Sequence, residues 1–326
     1  MLNIISLSLP FFSIILAGYL SKNLNLFNQD DGRKIAKFAF FIALPPFMFL
    51  NIINSPIKDI LDLEFIIRYE ICTILTFIFS CFIAKFFLKV RKQDFGIFGL
   101  NSTYPNYGYI GVPLSLIAFG KEAAIPIALI LVADSIVLLT LTACFNYSEK
   151  NEKMFVSIIK LFISFLKNPI LIAVIAGFTF SLLEINIPEI PNVIFVMLAG
   201  AAAPTALFAL GITLISKNIY SSFSEIFSIT VIKLIIHPLL VTLLLIEWYF
   251  KNTTSNTIWI QTAILSACLP IAANVYSMSE FYQKYVTLTA AAITFTTVVA
   301  SISVTIFLYL LYDLETYLLF FRKIIY

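Results

Sequence analysis

The sequence predicts an all-α integral membrane protein: ten transmembrane helices in two inverted five-helix repeats, with helices 4 and 9 broken and crossing at the bilayer midplane. Three observations predict it. The chain of 326 residues is 60% hydrophobic and 12% charged, with a mean hydropathy of +0.98; a soluble domain is about 45–50% apolar and about 25% charged. Its apolar runs reach the ~20 residues that a helix needs to cross hydrocarbon. Two of the runs contain Pro, Gly or Asn where a lipid-facing helix has no use for them, at Thr103–Pro113 and at Cys268–Tyr276. Proline frees a carbonyl one turn back, and in hydrocarbon that group must be met by protein or by water in a cavity.

Taken in order, the spans fall near residues 2–21, 33–53, 63–88, 94–119 and 122–146, then 168–185, 190–216, 221–250, 257–280 and 285–312. The first run has no positive residue before it and Lys22 after it. A signal peptide has the opposite order, so this is read as a true span. Residues 1–146 form the first five-helix repeat and 168–326 the second. Between them, Lys153, Ser157, Lys160, Ser164 and Lys167 recur at spacings of four and three. That pattern predicts an amphipathic connector over 147–167, its lysines toward anionic headgroups of the cytoplasmic leaflet. The connections after the odd-numbered spans hold fourteen Lys and Arg, against five on the other side. By the positive-inside rule both termini face outward from the cytoplasmic membrane and the connector lies inside.

Four cysteines (Cys72, Cys81, Cys144, Cys268) lie in apolar runs without a CxxC and read as small buried hydrophobes. A single histidine, His237, cannot make a metal centre. No HExxH and no clustered carboxylate pair suggests an enzyme. Neither a cofactor nor a nucleic-acid partner is expected; the partners are the bilayer and a small solute.

A shift of 159 residues aligns Pro10 with Pro169, Ala17-Gly18 with Ala176-Gly177, Pro45 with Pro204 and Phe49 with Phe208. It maps spans 1–2 onto 6–7 and, after a short insertion, broken span 4 onto broken span 9. Five spans per unit is odd, so the second unit enters from the opposite face. This is the inverted repeat that gives alternating access in many transporters, with the substrate between paired broken helices.

Asn106 and Asn274 lead the candidate residues, each just after a proline in a broken span. An amide keeps two donors and an acceptor at any pH. Half-helix N-termini beside it offer free N–H groups and a positive dipole end to an anion. The plainer alternative is that each amide ties down its own broken backbone, and both roles can hold at once. Gly108 and Gly111 allow close backbone approach or simply helix packing, and Tyr104, Tyr107 and Tyr109 could line an aromatic pocket. Asp134 and Lys233 are ionisable residues at similar depth, about 18 Å along their helices, and could meet as an ion pair, structural or coupled to transport. Glu70 lies shallower and could titrate in a proton-coupled cycle, unless Arg68 holds it at the surface.

These motifs resemble the auxin efflux carrier family, including its bacterial members often described as malate or malonate permeases. Asn106-Tyr107-Gly108-Tyr109-Ile110-Gly111-Val112-Pro113 is similar to the family's span 4 pattern Asn-Thr-Gly-x-x-Gly-[Leu/Ile/Val]-Pro. Leu269-Pro270-Ile271-Ala272-Ala273-Asn274 is similar to its span 9 pattern, and Ala201-Ala202-Ala203-Pro204 with Ala209-Leu210-Gly211 to its span 7. The resemblance implies a scaffold of spans 1, 2, 6 and 7, often a homodimer, and a moving transport domain of spans 3–5 and 8–10. It places the substrate at the span 4/span 9 crossover, and Asn106, Pro113, Pro270 and Asn274 carry over by motif. Tyr107 stands where the family usually has Thr, which removes a small hydroxyl and is expected to reshape the pocket. The expected function is a secondary transporter of a small organic anion, a carboxylate before others, working by an elevator-like mechanism. Proton or sodium coupling stays open. So do the alternatives of a sodium-coupled carrier of the bile-acid symporter type and a non-transporting membrane sensor.

Overall fold

The computed structural model describes residues 2–54, 62–146, 167–214, 222–251 and 257–312. The predicted connector, but for Lys167, lies outside the described residues. Among them the chain consists of helices joined by turns and short irregular segments, with one isolated antiparallel bridge and no strand. In order the helices are α1 (Leu2–Asn23), α2 (Gln29–Phe38), α3 (Leu44–Ile53), α4 (Leu63–Phe86), α5 (Phe95–Thr103), α6 (Val112–Phe119) and α7 (Ala124–Asn146). There follow α8 (Pro169–Leu182), α9 (Glu189–Thr213), α10 (Phe223–Val231), α11 (His237–Lys251), α12 (Thr257–Cys268), α13 (Asn274–Tyr282) and α14 (Val286–Tyr312). Among the described residues six continuous stretches are long and apolar enough to cross a membrane: Gln29–Ile53, Leu63–Phe86, Lys121–Thr142, Glu189–Thr213, Phe223–Phe250 and Val286–Tyr312. Tyr107–Phe119, Pro169–Leu182 and Thr257–Cys268 are shorter apolar helices. The protein is a multi-pass membrane protein.

Polar residues start several helices where the sequence offers them. The Asn28 side chain accepts from the backbone of Asp30 and Asp31 to open α2, and Asp31 reaches back to the Asn28 N–H. Asp62 caps α4 and Asn168 caps α8. Each supplies acceptors to N–H groups that no preceding turn can satisfy.

Among the described residues three π turns interrupt the helices: Ala39–Ala43, Tyr107–Gly111 and Ile232–Ile236. Each ends immediately before a helix whose second residue is proline: Leu44-Pro45, Val112-Pro113 and His237-Pro238. The proline ring would clash with the carbonyl four residues back and has no N–H to give it. One wider turn ahead of the ring absorbs the clash, and it also rotates the side chains on that turn.

α1 packs on α9 and α8 on α3, both through glycine. A Cβ on Gly18 of α1 would collide with the Phe208 carbonyl and sit 3.2 Å from the Gly211 Cα on α9. A Cβ on Gly177 of α8 would sit 3.0 Å from the Ile52 Cβ and 3.4 Å from the Phe49 carbonyl oxygen on α3. Small residues let helix backbones approach where lipid provides no hydrophobic drive. Gly18 and Gly177 are 159 residues apart, and so are Phe49 and Phe208. The outer face of α9 shows Ile190, Val193, Ile194, Val196 and Met197. The α4, α5, α7, α11 and α12 side encloses the bulkiest core groups, Phe65, Tyr69, Phe77, Phe98 and Trp248, and with them Lys233.

Candidate functional site

The two broken stretches meet. Pro105 forces the residue before it out of the helical region, and Tyr104 is extended at φ −76°, ψ 110°. The backbone freed on both sides then pairs with the other break: Asn106 N–H donates to the Pro270 carbonyl at 2.9 Å, and Ala272 N–H to the Tyr104 carbonyl at 3.1 Å. These two bonds make the antiparallel bridge Pro105–Ile271. Each interruption thus supplies partners for the other, as buried backbone requires. Gly111 permits the approach: a Cβ there would come within 2.6 Å of the Leu269 Cδ1. Gly108 is not needed for packing, since its nearest contact would be Ile170 at 3.7 Å. Pro113 is buried as the second residue of α6.

Asn106 is 3% exposed. Its Oδ1 accepts from the Tyr109 N–H at 3.3 Å and so caps its own broken backbone. Its Nδ2 is buried and has no hydrogen-bond partner. Asn274 is exposed, opens α13 and lines the same cavity as Tyr104. The Tyr104 hydroxyl meets Ser135 of α7 at 2.9 Å. A cavity of ≈ 60 Å³ lies here, room for a few waters at roughly 10–15 Å³ each. The Tyr104–Tyr109 stretch, Ala272, Ala273 and Asn274 line one side; Phe40, Asn168 and Ile170 line the other.

Behind the crossover lies a buried polar cluster. Tyr107 turns its hydroxyl away from the cavity and donates to Asp134 Oδ2, with the Tyr69 hydroxyl 3.0 Å away. Asp134 and Lys233 are both fully buried. They share this cluster, with no N–O contact within 4.0 Å between them among the described ion pairs. Lys233 donates instead to the Ala267 carbonyl at 2.8 Å, and its Nζ lies 3.5 Å from His237 Nδ1. His237 Nε2 lies 3.3 Å from the Thr73 hydroxyl. With Lys233 as donor, Nδ1 is the acceptor and Nε2 carries the proton toward Thr73. Glu70 turns inward and is 8% exposed. Arg68 does not hold it at the surface, because Arg68 pairs with Glu64 at 2.9 Å and Glu247 at 3.7 Å.

Sequence reasoning passed over Tyr69, Thr73 and His237 as site residues. A signal existed for His237: it follows Lys233 by four residues, so the two share a helix face. Among the cysteines, Cys72, Cys81 and Cys268 are buried and free as expected, whereas Cys144 near the end of α7 is exposed, which corrects that reading. Among the described residues no group of His, Cys, Asp and Glu could hold a metal ion.

A multi-pass helical protein with two paired breaks beside a cavity has the architecture of a membrane transport protein. The model of the family described as "Membrane transport protein" matches residues 3–308, and the chain belongs to this family, the auxin efflux carrier family. It is 30% identical over 313 residues to the "Putative malonate transporter" of Rhizobium meliloti (strain 1021), covering 95% of this chain and 97% of that one. It is 24% identical over 281 residues to the "Uncharacterized transporter YfdV" of Escherichia coli (strain K12), covering 85% and 88%. An "Uncharacterized transporter" of Methanothermobacter thermautotrophicus is 23% identical over 259 residues, 78% and 83%. The family and these relatives are transporters and not enzymes.

Proposed function

We propose that this chain is a secondary transporter of a small carboxylate, with malonate the first candidate, and that the anion binds at the crossover. The observation that carries the reading is the Asn106 Nδ2: a buried donor without a partner, beside a cavity where two short helices begin. An anion there would receive the amide N–H groups and the positive ends of α13 and of the Tyr107–Phe119 helix. The name of the Rhizobium meliloti relative supports malonate.

The cavity's two walls support an elevator-like movement. One wall belongs to the broken spans and α7, the expected transport domain; the other to Phe40 in the π turn after α2 and to the start of α8, the expected scaffold. Substrate held at that boundary can be carried past a fixed wall. The matched glycine crossings of α1 with α9 and of α8 with α3 support two inverted five-helix units spanning ten times. With them go the orientation read from charge, both termini outside the cytoplasmic membrane, and a scaffold homodimer.

The test uses purified protein and malonate. Stabilisation on heating follows ligand affinity, so wild type should gain melting temperature with malonate. Asn106→Ala should lose that gain while staying folded, and its malonate uptake in proteoliposomes should fall roughly 10–100-fold, the value of one hydrogen bond to a charged group. Normal uptake by Asn106→Ala would sink the site assignment.

A further inference from the structure

Glu70 and Asp134 make an arrangement that the transport site itself does not need. Both oxygens of Glu70 are buried and receive no donor, and Asp134 Oδ1 is in the same position. Glu70 lies on the same face of α4 as Thr73, three residues on, and its neighbour Tyr69 meets the Tyr107 hydroxyl that donates to Asp134 of α7, so one buried pocket brings the two carboxyl groups together. Two ionised carboxylates are acceptors only, and like charges in one such pocket cannot both persist away from water. One proton between them converts an unsatisfied pair into a hydrogen bond.

The surroundings fix what that proton does. From α4, Arg68 is drawn off to Glu64 and Glu247, while Tyr69 and Cys72 bring a neutral phenol and thiol. α5 contains no titratable side chain. The π turn and α11 bring Lys233 and His237, and α12 ends with Cys268. Asp134 accepts from the Tyr107 hydroxyl. With one proton the pair carries a single negative charge, which Lys233 balances. Without it the buried cluster keeps an uncompensated negative charge, directly behind the turn that Asn106 caps.

We propose that the coupling ion is a proton, held between Glu70 and Asp134 and communicated to the crossover through the Tyr107 hydroxyl, so that proton and carboxylate cross together. This deepens the transporter reading and rests on it for the crossing, though not for the proton itself. An anion at Asn106 favours the protonated pair, and by linkage the protonated pair favours the anion. One proton is taken from water on the side of binding and one is returned to water on the side of release; no other bond changes.

The experiment has two arms. Infrared spectra of wild-type protein in lipid nanodiscs, stepped from acid to alkaline pH, should contain the carbonyl stretch of a buried protonated carboxylic acid. The band should shift in heavy water and vanish in Glu70→Gln or Asp134→Asn; absence from wild type would overturn the proton site whether or not either variant folds. In proteoliposomes without sodium, an inward proton gradient should stimulate malonate uptake several-fold in wild type and not in Glu70→Gln. Stimulation by a sodium gradient alone would overturn proton coupling. No malonate movement under any gradient would overturn malonate transport instead, leaving the infrared band to judge the proton site.

Discussion

The Asn106 amide has two unlike ends. The carbonyl oxygen holds the Tyr109 N–H and so keeps the break in shape, while the nitrogen is buried without a partner. On the proposed reading, the two roles offered as alternatives by the sequence fall on these two ends of one side chain. Tyr107 next to it was legible only as a bulky departure from the family's Thr. Its use is visible in three dimensions alone, because Asp134, its partner, is 27 residues away. Removing that hydroxyl leaves a buried carboxylate oxygen without its donor, a loss of about 1–3 kcal/mol. Tyr107→Phe should therefore melt lower than wild type in the same detergent and lipid, and lower than Tyr69→Phe, which does not take the donor from Asp134.

At the scale of the helix, proline explains more than the sequence reading claimed for it. Pro105 and Pro270 were legible as breaks because Gly and Asn accompany them. Pro45 and Pro238 stand among apolar residues, so spans 2 and 8 read as unbroken; yet each follows a π turn. The extra residue is invisible to periodicity over so short a stretch, and the turn before Pro238 carries the buried Lys233. Glycine works in the opposite sense, by contact between helices. Gly18→Ala would press a methyl group on the Phe208 carbonyl, which cannot yield without parting α1 from α9, at a cost of about 1–3 kcal/mol. Gly108→Ala meets its first neighbour at 3.7 Å and should change the melting temperature little. Melting curves of the two variants, side by side, check this.

For the molecule as a whole, the described helices begin and end within a few residues of the predicted apolar runs, and six continuous stretches among the described residues are long and apolar enough to cross a membrane. The meeting of the two breaks, 164 residues apart between Asn106 and Pro270, could be anticipated from the repeat but not located. The proposed division into moving and fixed parts makes a prediction of its own. In a background with the four native cysteines replaced by serine, Gly108→Cys and Ile170→Cys join the crossover to α8. Bridging them with a short bifunctional thiol reagent should stop malonate uptake, and cleaving a reducible version should restore it. A bridge between Tyr249→Cys and Thr257→Cys, whose native side chains meet at 3.4 Å away from the crossover and which both belong to the proposed moving part, should leave uptake running.

The bridge between the breaks also sets a condition on how the chain is made. Asn106 N–H and the Tyr104 carbonyl find their partners at Pro270 and Ala272, which leave the ribosome 164 or more residues later. At about 5–20 residues per second that is roughly 8–33 s. Throughout that interval the first half sits in the bilayer with its central break open. It must be sheltered by water, by the translocation machinery or by a provisional neighbour until the second half arrives to close it.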